Sequence, residues 1–236
     1  MLKSLQAIFL VVLLSLSFAA LGQNGELDSL KNLLSTTDGK QKADILLALS
    51  GKVWMADPVE SAKFAEQALG ASEAAGYQEG IIKSLLYWST LSSRQGEYAL
   101  TEELALRVIE LAEEVKSLAQ GRLTLGSMYI MTGEYARSYE VQLAGLANAV
   151  EVGDRYLQRN FLLNIGVIKM ELDELDEAED YFLRVLKMLD DAGKHNEAGG
   201  IYTNLGLIER KRNNLGNAID QNEKALAIFL EIEDKY

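Results

Sequence analysis

The 236-residue chain contains no cysteine, one proline and one histidine. Without cysteine there can be no disulfide, no thiolate nucleophile, no cysteine-ligated metal and no lipid-modified N-terminal cysteine. A single histidine cannot form the two-histidine zinc motif of metalloproteases. The near absence of proline, beside many Ala, Leu, Glu and Lys residues, favours long helices.

Positive charge is also scarce. The chain has 23 Lys and Arg residues against 35 Asp and Glu residues, a formal net charge of −12. Because phosphate groups and anionic membrane surfaces are recognised by positively charged surfaces, we expect neither nucleic acid nor a membrane surface as a direct partner. Apolar residues make up 48% of the chain, which is enough for a large buried core.

Residues 1–22 have the pattern of a secretory signal peptide. Lys3 supplies a positive charge, residues 7–14 are an unbroken apolar run, and small residues follow as far as Gly22. We predict cleavage after Gly22, with cleavage after Ala19 as the alternative. An uncleaved membrane anchor is the other interpretation, but the run is short for a span of about 20 residues. We therefore expect an exported chain in the periplasm or on the surface of a Gram-negative bacterium, with no membrane insertion of the mature array.

Three glycines in the body of the chain reveal a repeat. Gly126, Gly166 and Gly206 recur every 40 residues, each within an apolar pattern of helical period. Glycine inside a helix costs about 1 kcal/mol relative to alanine. Three destabilising glycines at one fixed spacing need a common cause. The simplest cause is the close packing of a second helix against each glycine.

Other features recur with the glycines. A tight turn followed by tyrosine occurs at 96–98 and 133–135, and alanines at 178 and 218 begin the inward face of a second helix. This combination resembles the tetratricopeptide repeat (TPR), with the best match at Leu125, Gly126, Tyr129, Gly133 and Tyr135. The unit of about 40 residues is similar to the long-unit type found in N-terminal sensory regions of bacterial signalling proteins.

The resemblance implies an all-α fold, a TPR-like α-solenoid of about five antiparallel helix pairs. We expect a lead helix from Glu26 to Ser35 and a loop within 23–39, then an uninterrupted array over 40–236. The expected units are 40–78, 79–116, 117–155, 156–195 and 196–236. The expected first helices are 40–55, 79–94, 117–132, 156–172 and 196–212. The expected second helices are 58–75, 97–115, 135–152, 175–191 and 215–232.

In TPR proteins the first helices line a concave groove that holds a partner. The resemblance therefore implies a partner-binding groove for a protein or peptide segment. Its expected residues are Lys83, Tyr87, Thr90, Arg94, Gln120, Thr124, Ser127, Met131, Asn160, Asn164, Val167, Asn204 and Lys211. A solvated inner surface without a ligand is the alternative.

The sequence contains few candidate catalytic or metal-binding residues. His195 is expected to be an exposed residue of a joint, and no phosphate-binding glycine loop occurs. The acidic residues between 171 and 180 lack the glycine and spacing of a helix–loop–helix calcium site. We interpret the cations at 210–212 as residues of a helix C-terminus, where the helix dipole favours positive charge. We expect no catalytic residues, no metal and no cofactor.

We therefore expect an exported TPR protein–protein interaction module and scaffold, not an enzyme. The resemblance points to the extracytoplasmic input region of a larger protein of bacterial signal transduction. The alternative is a freestanding periplasmic or surface scaffold that self-associates through its C-terminal repeat, because no polar cap follows the last predicted helix.

Overall fold

The computed structural model describes residues 25–233, which are helical apart from short connections and contain no β-strand. The predicted signal peptide, its cleavage site and the last joint at 234–235 lie outside these residues. The described chain forms two compact units, one ending at Glu97 and the other beginning at Tyr98. This boundary falls inside the predicted repeat 79–116, and the uninterrupted array stays a prediction.

Unit 1 contains four helices. They are α1 (25–34), α2 (Gly39–Val53), α3 (Pro58–Ala74) and α4 (Gln78–Gln95). Asp57 caps α3 by accepting the Glu60 amide at 2.8 Å, and Pro58 occupies the first turn, where its missing N–H costs nothing. α3 packs against both α2 and α4. The buried hydroxyls of Ser50 and Ser61 each donate to the other residue's carbonyl, at 2.8 and 2.9 Å, and join α2 to α3.

Unit 2 contains seven α-helices and one 3₁₀ turn. They are α5 (Tyr98–Leu111), α6 (Val115–Met131), α7 (Tyr135–Glu151), α8 (Arg155–Glu171), α9 (Leu175–Asp191), the 3₁₀ turn His195–Glu197, α10 (Gly199–Lys211) and α11 (Leu215–Glu233). Each helix packs against the next, and α8 also contacts α6 and α10 directly. Helices α6, α8 and α10 therefore form an inner layer, and α5, α7, α9 and α11 an outer one.

Two predicted helix ends were wrong. α5 stops at Leu111 rather than 115, because Glu113 and Glu114 follow and negative charge opposes the negative C-terminal end of a helix. α10 begins at Gly199 rather than 196. Residues His195–Glu197 form a 3₁₀ turn instead, and the Glu197 carboxylate of that turn is bound by Arg159 at 2.5 Å. The other predicted bounds agree with the structure within two residues.

The three repeat glycines lie under a side chain of the following helix, as predicted. A Cβ atom added at Gly126, Gly166 or Gly206 would lie 2.6, 2.8 or 2.9 Å from the nearest atom of residue 142, 182 or 222, respectively. Real Cβ atoms do not approach this closely. The facing residue is Gln142, then Phe182, then Asn222, so its position repeats every 40 residues although its chemistry does not.

Seven of the turns between the described helices contain one residue with positive φ. Glycine supplies it at five of these turns, but Asp173 (φ 64°) and Asn213 (φ 61°) take its place after α8 and α10. Asp and Asn tolerate the left-handed region better than other side chains. This explains how the two later repeats keep the turn after losing the glycine found at Gly96 and Gly133.

A polar link joins successive repeats at one edge of unit 2. The Tyr129 hydroxyl donates to Glu102 at 2.5 Å, and Arg137 donates to the same carboxylate at 2.7 Å. Forty residues further on, Lys169 lies 4.9 Å from the centre of the Tyr139 ring. Position 129 thus contacts the preceding outer helix in two consecutive repeats with unrelated side chains.

Candidate partner-binding face

The inner layer of unit 2 carries the predicted groove residues of that unit. α6 provides Gln120, Thr124, Ser127 and Met131, α8 provides Asn160, Asn164 and Val167, and α10 provides Asn204 and Lys211. All nine are partly or fully exposed. We call the surface formed by these residues the inner face.

One position of the inner face is polar in all three helices. Thr124, Asn164 and Asn204 are spaced by 40 residues and are each partly exposed. The Asn164 amide nitrogen donates to the Ser127 hydroxyl at 3.0 Å, which connects α8 to α6. Its amide oxygen takes no part in that bond. A primary amide both donates and accepts, as a peptide group does, so this row suits contact with a backbone.

Two further polar side chains of the inner face bond to their own helices. The Thr124 hydroxyl donates to the Gln120 carbonyl at 3.3 Å, and the Asn160 amide donates to the Tyr156 carbonyl at 3.0 Å. Such bonds orient a side chain and occupy only part of its capacity. Both residues can therefore still contact a partner.

The middle of the inner face is partly apolar. Val167 packs against the buried cluster that contains Phe182 and Leu205, and so do Leu163 and Leu207. Leu207 was missed by the sequence-based prediction. Adding the 40-residue period to Val167 would have found it.

The predicted cation Lys211 is already engaged within the fold. Its ammonium donates to the Met170 carbonyl at 2.8 Å and lies 3.5 Å from an Asp173 carboxylate oxygen. It therefore satisfies the C-terminal end of α8, where positive charge is favoured. Met131, at the matching position of α6, is 57% exposed. The end of the inner face thus offers an apolar contact at α6 and a neutralised cation at α10.

An ion pair that the sequence did not predict links the start of α8 to the 3₁₀ turn before α10. Arg159 of α8 pairs with Glu197 of the 3₁₀ turn at 2.5 Å and lies over the Tyr156 ring at 5.3 Å. Lys194 and Arg159 together hold the pKa of Glu197 below its ordinary value. Nothing in the spacing of the repeat marks this pair, because Glu197 lies where the helical pattern breaks.

The four predicted groove residues of unit 1 lie on α4. Lys83 pairs with Glu79 at 2.5 Å, and the Thr90 hydroxyl donates to the Leu86 carbonyl at 2.9 Å. Arg94 lies over the Trp54 ring at 4.8 Å. The Tyr87 hydroxyl approaches Gly51 of α2, and burial raises the pKa of that tyrosine. These four side chains are thus held by contacts within unit 1.

The acidic residues between 171 and 180 and the cations at 210–212, which were considered as ion-binding residues, have partners within the fold. Arg212 binds Asp176 and Glu179 of the preceding repeat at 2.5 and 2.6 Å, and Lys169 binds Glu177 at 2.8 Å. The acidic series is therefore largely neutralised by cations of unit 2. His195 is exposed, as predicted, with its Nδ1 atom 3.4 Å from Asp190.

Residues 25–233 contain neither a metal-site arrangement nor a helix suited to span a membrane. No cluster of three or more His, Asp or Glu side chains has the arrangement of a metal site. None of the helices in this range combines the length and apolar character that a membrane span requires.

The fold has the features of TPR-like repeat proteins. Its helices are paired, its repeat glycines lie under the following helix, and every other helix contributes to one inner face. The comparison with known families agrees, because residues 157–231 match the family model of the tetratricopeptide repeat. No curated protein sequence matches the chain. The predicted resemblance and the all-α, TPR-like fold class are thereby confirmed.

Solved structures show the same fold at low sequence identity. BtubC from P. vanneervenii is 12% identical, with a TM-score of 0.72 over 90% of each chain. The apo form of RapI is 13% identical, with a TM-score of 0.67 over 86% of this chain and 89% of that one. The nearly identical TPR-like repeats of a Podosopora anserina protein are 12% identical, with a TM-score of 0.67 over 84% of this chain and 99% of that one. A TPR-type protein-interaction module is the class of function that the family match and the fold support.

Proposed function

We propose that the inner face of unit 2 binds an extended segment of a partner protein. The observation that carries the proposal is the row Thr124, Asn164 and Asn204, which repeats one polar, partly exposed position on three consecutive inner helices. The apolar strip of Val167 and Leu207 beside the row would receive side chains of the segment. A mixed polar and apolar surface of this kind suits a peptide better than a sugar or a nucleotide.

A double substitution tests this proposal. Asn164→Ala with Asn204→Ala removes two amides, each worth about 1 kcal/mol as a hydrogen-bonding group, so partner capture should fall about tenfold or more. The assay is capture from a cell-envelope extract, followed by quantitative mass spectrometry. The matched control is Asn32→Ala, an exposed amide on α1 outside the inner face. Equal capture by the double variant and the parent, with helicity unchanged, would refute the inner face as the site.

We propose further that the chain is exported and acts as the input region of a bacterial signalling protein. The support is the charged start, apolar run and small-residue exit of residues 1–22, together with the TPR-type fold. Fractionation followed by N-terminal sequencing should find the mature chain outside the cytoplasm, starting at Gln23. An unprocessed chain in the cytoplasm would refute export. A reading frame that continues past Tyr236 into a membrane span and an output domain would support the signalling role, and a stop codon there would refute it.

The alternative is a freestanding scaffold that self-associates through α11. One flank of this helix exposes Ile219, Leu226 and Leu230, which are 59, 56 and 51% accessible. The 40-residue period aligns these residues with Glu179, Leu186 and Asp190 of α9, so two of the three matching positions of that helix are charged. Sedimentation at increasing concentration should then show a dimer that Leu226→Glu dissociates, whereas a monomer at all concentrations would exclude this alternative.

A further inference from the structure

We draw no further inference here: the strongest candidate, the apolar flank that Ile219, Leu226 and Leu230 of α11 expose at the end of unit 2, is the surface of the self-association alternative already described, and nothing in the structure shows what covers it.

Discussion

A direct perturbation of the repeat geometry is to add a side chain at Gly166. The new Cβ atom would lie 2.8 Å from Cε1, 3.0 Å from Cδ1 and 3.2 Å from Cζ of Phe182, whereas ordinary van der Waals contact begins at 3.4 Å. The Phe182 ring is fully buried within the cluster that contains Ala178, so it has little room to move. Overpacking of this kind costs about 1–3 kcal/mol.

A second glycine separates this cost from the intrinsic helix preference of alanine. Gly216 is exposed near the start of α11, and a Cβ atom there would meet nothing within 4 Å. Both Gly166→Ala and Gly216→Ala gain helix propensity of up to about 1 kcal/mol. Their difference therefore isolates the overpacking, and we expect Gly166→Ala to be less stable than Gly216→Ala by about 1–3 kcal/mol.

The assay is urea unfolding followed by circular dichroism. The two tryptophans, at 54 and 88, lie in unit 1, so their fluorescence does not report directly on the helices around Gly166. Phe182→Leu should relieve part of the cost in a double-mutant cycle, because the smaller side chain leaves room for the methyl group. Gly166→Leu should cost still more. Equal stabilisation by Gly166→Ala and Gly216→Ala would refute the packing of α9 on this glycine.

Three other substitutions have defined expected outcomes. Gln142 is fully buried, and its amide atoms have no hydrogen-bond partner among the described residues; Gln142→Met should therefore stabilise unit 2 by about 1–3 kcal/mol, and a loss of stability in urea would contradict this. Asn213→Gly should stabilise the turn after α10 by roughly 0.5–1 kcal/mol, because the backbone has φ 61° there, whereas Asn213→Ala should destabilise it. Burial and the bond to Glu102 raise the pKa of Tyr129 to about 12, so its contribution to stability is complete below pH 10 and is lost as the pH rises towards 12. Tyr129→Phe should lose less stability than the parent over that pH range in urea titrations, and identical pH profiles would refute the assignment.

The helices and the glycine packing were predictable because they depend on short-range patterns. Apolar residues at helical spacing, glycines at a fixed period and turn residues before tyrosine determine them locally. Asp173 and Asn213 were also compatible with this pattern, since both tolerate positive φ.

The details of the candidate sites were less predictable because they depend on which side chains meet between repeats. Lys211 was predicted for the groove, but the nearby Met170 carbonyl engages it. Gln142 occupies a position where the next repeat has Phe182. A single sequence shows that these residues align, but not which of them fill the space.

The inner face is tested most directly by site-specific photo-crosslinking in the native host. A photoreactive residue at Thr124 or at Asn204 of the inner face is compared with the same residue at Glu103, which is exposed on the outer helix α5. We expect one shared crosslinked protein at the two inner positions and none at Glu103. Crosslinking of the same protein at Glu103 with none at Thr124 and Asn204 would contradict a partner bound on the inner face.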